Sequence, residues 1–153
     1  TGLLSQRAKP IQDSPTPAPN AMAALVFLRL YAVTGDEAHR AEAEATLRAF
    51  AGGAAEFGVF GGTYFRAVDA LMSGMTTIVV ADTTTNMTSM ALSTYRPRKV
   101  VLPQASRVSP HLSPLASSLS PPFALLCSGS SCAPPAHTPS ELRAAMESFA
   151  RTG

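Results

Sequence analysis

The sequence predicts an α+β protein, with helices over residues 16–75 and a small strand, helix, strand unit followed by a final helix over residues 76–153. Three observations carry this reading. A strongly apolar helix with clear start and stop signals lies near the beginning, the texture turns β-branched at Thr76, and Thr138-Pro139-Ser140-Glu141 opens a last helix. Residues 1–15 read as an N-terminal extension.

The first helix is set by DSPTPAPNAMAALVFLRLYAVTGD, residues 13–36. Pro17 and Pro19 fit only before a helix or in its first turn, Ala21, Leu25, Leu28 and Ala32 recur at helical spacing, and Gly35 is an end signal. Met22, Val26, Phe27, Leu30 and Tyr31 widen the apolar face until Arg29 is the only charge. Such a helix needs cover on nearly all sides. After Gly35, DEAHRAEAEATLRAFAGG predicts a second helix, with Asp36 and Glu37 at its start and Ala38, Ala41, Ala45, Leu47, Phe50 and Ala51 as its apolar face. Glu42, Glu44 and Arg48 form the solvated side, Glu44 and Arg48 in the favourable i,i+4 order. The short link makes these two helices an antiparallel hairpin.

Glycines at 52–53 and 58–62 break the chain before TYFRAVDALMSG, a third helix with Tyr64, Phe65, Val68, Leu71 and Met72 apolar and Gly74 as its stop. The break lacks the glycine spacing and the following Lys-Ser/Thr of a phosphate cradle. TTIVVAD is a β-branched strand, NMTSMALSTY a short helix and KVVL a second strand, expected to run parallel to the first. Residues 103–122 are rich in Ser and Pro and read as a surface loop anchored by Leu112, Leu115 and Leu119. FALLC is a third strand, expected to pair with the other two. In the last helix Thr138 is the N-cap, Pro139 the first helical residue and Glu141 the capping-box acid, with Leu142, Ala145, Met146 and Phe149 buried.

Composition narrows the classes. The chain has 153 residues, 46% hydrophobic and 14% charged, enough for one folded core. Its net charge of +2 is a small excess of arginine, so nucleic acid is not implied by charge balance. The longest apolar run is far shorter than the roughly 20 residues that span a bilayer, and no signal peptide pattern opens the chain. Asn86-Met87-Thr88 is formally a glycosylation sequon.

In order along the chain, Asp13, Pro17 to Asn20, Ala23 to Leu25, Leu28 to Leu30 and Thr34 to Asp36 resemble the last inner helix of the thioredoxin-domain-containing spermatogenesis-associated and YyaL-like family. The likeness continues through AEAEATLRAFAG, TTIVVAD, Tyr95-x-Pro97-x-Lys99-Val100-Val101-Leu102, and a tail holding Cys127, Cys132, Pro134, Pro135 and Thr138-Pro139-x-Glu141-Leu142. It aligns with the family's C-terminal portion. The resemblance implies a partial helical toroid, the end of an (α/α)6 epimerase-like barrel, whose inner and outer helices are the first two. The family's thioredoxin-like domain and most of its barrel have no counterpart in these residues.

Candidate chemistry is sparse. Cys127 and Cys132 are not a Cys-x-x-Cys motif; their spacing suits two ordinary thiols or a disulfide closing the loop, and with only His137 nearby a four-ligand zinc site lacks donors. No metal or other cofactor is expected. His39, His111 and His137 have no nucleophile at a recognised spacing. The resemblance makes Asp13 and Asn20 the weak catalytic candidates, since the turn before an inner helix faces a barrel cavity; otherwise Asn20 tightens the helix entrance and Asp13 is solvated. Arg96, Arg98 and Lys99, with Arg107 further on, are the dense basic cluster, which suits RNA phosphates or an acidic protein, an exposed turn being the default.

These readings lead to two expectations. The first is a non-catalytic structural or interaction subunit docking onto a larger protein assembly, in an organelle or another large complex, through Leu25, Phe27, Leu28 and Tyr31. The alternative is the C-terminal part of a carbohydrate-active, epimerase-like or hydrolase-like enzyme.

Overall fold

β1 (Thr76–Ala81) is the middle of the sheet, and all six of its residues are buried. A computed structural model describes residues 10–82, 84, 86–103, 112–129 and 131–149. The sheet order is β2-β1-β3-β4, with β2 (Lys99–Pro103) parallel to β1 and β3 (Phe123–Ser128) antiparallel to it on the other side. β3 therefore pairs with β1 and not with β2. β4 (Ser131–Cys132) returns from β3 as a two-residue hairpin strand that the sequence pattern is too short to signal.

A continuous apolar run is what a strand covered on both faces needs. On one face Ile78, Val80, Ala124 and Leu126 meet Met87, Ala91, Leu142 and Met146, the last four supplied by α4 (Asn86–Ser93) and α6 (Pro139–Phe149). On the other face Val79, Ala81, Phe123 and Leu125 meet Leu112 and Ala116. Ala116 belongs to α5 (Ser113–Ser117), a short helix in what the Ser/Pro composition presents as loop. Leu112 is a buried anchor as expected and Leu119 a partly buried one, but Leu115 is exposed. The chain is thus α+β.

The helical part precedes the sheet. α1 (Pro19–Thr34) begins with Pro19 in its first turn and ends at Gly35, whose φ of 71° is the left-handed cap an L side chain resists. Asp36 then caps α2 (Glu37–Arg48) by accepting the Ala38 N–H at 2.9 Å. The buried stripe of α2 is Ala43 and Leu47, not Ala38, Ala41 and Ala45, which are exposed. In an alanine-rich helix the small side chains fit either face, so Leu47 and the ring contact of His39 with Phe27 set the phase. Residues Ala51–Gly61 form a 3₁₀ stretch kinked at Gly58. A Cβ on Gly61 would sit 2.9 Å from both Phe57 and Phe65, so the close turn needs glycine.

α3 (Gly62–Ser73) buries Thr63, Tyr64, Ala67 and Ala70. The sequence places Phe65 and Met72 on its inner face; both are exposed, while Val68 and Leu71 are partly buried. The Tyr64 hydroxyl fixes this rotation by donating to the Leu47 carbonyl at 3.1 Å in the interior. Leu25 and Leu28 of α1 pack in the same cluster, which Met75 and Val100 extend to the sheet.

Candidate functional site

A cleft of about 460 Å³ lies where the helices meet the sheet. One wall is the last turns of α1, with Leu28, Tyr31 and Ala32; Ala70 and Leu71 of α3 stand beside it. The sheet supplies Thr77 together with Cys127 and Cys132, and α5 contributes Leu115 with Leu112 just before it. Thr77 and Cys127 are register partners across β1 and β3, so both point to this face.

Two polar groups stand out in an apolar lining. Arg40 of α2 is the cleft's charged residue; it is exposed and makes no hydrogen bond or ion pair among the described residues. Thr77 is 5% exposed and lies on the β1 wall of the cleft. Tyr31 is committed, its hydroxyl donating to Glu37 at 2.9 Å, and that carboxylate raises the phenol's pKa. Neither Arg40 nor Thr77 is conspicuous in sequence. Arg40 is one charge among several on a surface helix, and Thr77 one β-branched residue in a strand.

Cys127 and Cys132 are bonded to each other, in place of the two ordinary thiols that their spacing equally allows. The β3–β4 hairpin sets them directly opposite one another, with Cα atoms 4.1 Å apart. The bond forms part of the cleft wall. Among the described residues no group of three or more His, Cys, Asp or Glu is placed to hold a metal, and no helix is long and apolar enough to cross a membrane.

Asp13 and Asn20 lie elsewhere, at the start of α1, roughly 12 Å along the helix axis from the Leu28 level at 1.5 Å per residue. Asp13 is not simply solvated. One oxygen accepts the Ala18 N–H at 2.7 Å and the other the Thr63 N–H at 2.8 Å, so it closes the first turns of α1 and α3 together. The two backbone donors, Ala18 first and then Thr63, hold its carboxyl below the usual carboxylate range. Asn20 does tighten the helix entrance, its side-chain amide donating to the Pro10 carbonyl at 2.7 Å. Both side chains thus hold backbone groups at the start of α1.

The basic cluster is also committed internally. Lys99 folds back onto the carbonyls of Ala91, Leu92 and Thr94 at the end of α4. Arg96 donates to the Met146 carbonyl in α6, and Arg98 grips both oxygens of Asp69 at 2.7 Å. Burial lowers the pKa of Arg96 and Lys99, each helped by a neighbouring arginine's charge. Three helices are thereby tied to the segment leading into β2, and a phosphate would have to displace these contacts. Arg107 and His111 lie outside the described residues. Of the expected docking residues, Leu25 and Leu28 are buried in the chain's own core, Phe27 stacks on His39, and Tyr31 faces Glu37 and the cleft. No family model, curated protein or solved structure matches this chain.

Proposed function

We propose that the chain is a non-catalytic structural or interaction subunit, or a fragment of one, that docks onto a larger protein assembly through its helical part. The observation that carries this is the outer row of α1. Met22, Val26 and Leu30 are 36%, 48% and 38% exposed. Their i, i+4, i+8 spacing is one of the ridges into which a second helix packs, so the proposed occupant is helical protein. Leaving such side chains wet forgoes roughly 1.5–3 kcal/mol each.

The docking surface therefore differs from the one expected. Leu25 and Leu28 turn inward because α2 and α3 cover them, leaving the opposite row outside. Val59, Phe60 and Phe65 add exposed apolar area near the Asp13 contact, where Asp13 donates its N–H to the Phe60 carbonyl at 2.8 Å. In the family that the sequence resembles, the missing cover would be further helices of the toroid. The enzyme alternative depends on Asp13, both of whose carboxylate oxygens accept backbone N–H groups, and on Asn20, whose side-chain nitrogen donates to a backbone carbonyl.

The test compares residues 1–153 with a Met22→Lys/Val26→Lys/Leu30→Lys variant by light scattering and solubility. Self-association or partner dependence of the parent, relieved in the variant, is expected. A monodisperse, freely soluble parent that the variant does not change would sink the proposal.

A further inference from the structure

We propose that the cleft between α1, α3, α5 and the sheet binds a small amphiphile with an aliphatic body and a single carboxylate head, seated against Arg40. The cleft is separate from the outer row of α1, so the proposal does not depend on docking.

Size comes first. At about 460 Å³ the cleft falls within the roughly 300–1,000 Å³ usual for small-molecule sites, lined mostly by apolar groups with a few placed polar ones. Among the described residues the lining is aliphatic: Leu28, Ala32, Leu71, Met75, Leu112 and Leu115 offer no aromatic face, and the ring of Tyr31 is held by Glu37. That favours a flexible chain over a stacked planar ligand.

Charge decides the head group. Among the described residues no acid lines the cleft, and Arg40, exposed and therefore at the mouth, makes no hydrogen bond or ion pair, its charge acting on the neighbouring Tyr31. An arginine fork matches a carboxylate in shape as well as sign. Thr77 adds a neutral hydroxyl-bearing side chain on the β1 wall, on the same face as Cys127.

Dodecanoate, at concentrations where it is monomeric, is the probe. Calorimetry on the oxidised full chain should show one saturable site, with dodecanol bound at least about tenfold more weakly, the scale of one charge-assisted contact. Arg40→Gln should lower dodecanoate affinity about tenfold and erase the preference over dodecanol. Because Cys127 and Cys132 line the cleft, occupancy should also slow reduction of their bond by a phosphine, and Arg40→Gln should weaken that protection. Ala32→Trp should block binding from a half-buried position; if it fails to fold, Leu115→Trp, at an exposed position, serves in its place. Absent saturable binding, equal affinity for acid and alcohol, or affinity unchanged by Arg40→Gln overturns the proposal. Loss of binding in Met22→Lys/Val26→Lys/Leu30→Lys with no effect of the cleft variants would place the ligand on the outer helix and overturn it equally.

Discussion

Asp13 accepts the backbone N–H of Thr63 at 2.8 Å, across fifty positions of sequence, while its other oxygen accepts that of Ala18. One carboxylate thus serves two helix starts, and neither Ala18 nor Gly61 has a capping side chain of its own. Asp13→Ala should lower the melting temperature by on the order of 5 °C. Asp13→Asn, which retains one acceptor, should lower it less. Equal stability of all three proteins in a thermal melt would mean that the carboxylate holds nothing together.

The same contact predicts a direction with pH. The Ala18 and Thr63 amides hold the Asp13 carboxyl below its ordinary range, and Thr84, then Met87, do so for Asp82. A depressed folded pKa contributes stability that is complete above the unfolded value of about 4 and is lost as pH falls through the folded one. Melting temperature should therefore hold between neutral pH and about 5 and decline below about 4, with a shallower decline in Asp13→Asn. A decline that begins near pH 6, or one that is identical in the variant, contradicts the assignment.

Lys99 and Arg98 are neighbours with unequal tasks. Lys99 satisfies three carbonyls at the end of α4, whereas Arg98 pairs with an Asp69 whose side chain is 51% exposed. Lys99→Ala should cost about 1–2 kcal/mol in urea unfolding. Arg98→Ala should cost less than about 1 kcal/mol. The reverse ranking would argue that the end of α4 is closed by other groups.

The Cys127–Cys132 bond closes a loop of sequence separation 5. On the chain-entropy account a loop this short is worth about 2 kcal/mol. Cys127→Ala/Cys132→Ala should lose about that much, and a reducing agent should bring the parent to the same level. If reduction leaves the unfolding midpoint unmoved, β4 is held by its backbone pairing alone.

Much of the fold is written in local signals. Gly35, Gly74 and the Thr138-Pro139 start mark helix ends where the structure has them, and Glu141 answers Thr138, whose hydroxyl accepts the Glu141 N–H at 3.2 Å while Glu141 itself accepts from His137. Faces are less legible than boundaries. Phe65 and Met72 are apolar yet exposed, because Tyr64 hydrogen-bonds to Leu47 and turns α3 so that small alanines meet α1. Hydrophobicity alone cannot rank an alanine above a phenylalanine for close helix contact. The cleft is hidden for another reason: Arg40, Thr77 and Cys127 come from three separate elements, and only their packing brings them to one opening. The basic cluster, by contrast, is obvious in sequence but is occupied by carbonyls and a carboxylate that lie up to fifty residues away.

The strand order also bears on how copies of the chain meet. With β1 paired on both sides, the exposed edges of the sheet are β2 and β4. β4 offers two residues before its continuation along β3 to the Ala124–Ala136 bridge passes through Pro134 and Pro135, which have no N–H to give; β2 likewise ends in Pro103 and begins at Lys99, whose ammonium is turned onto α4. Neither edge can template a long incoming strand. Crowded copies of this protein should therefore resist zippering into fibres, and any association between them is left to the side chains of its helices.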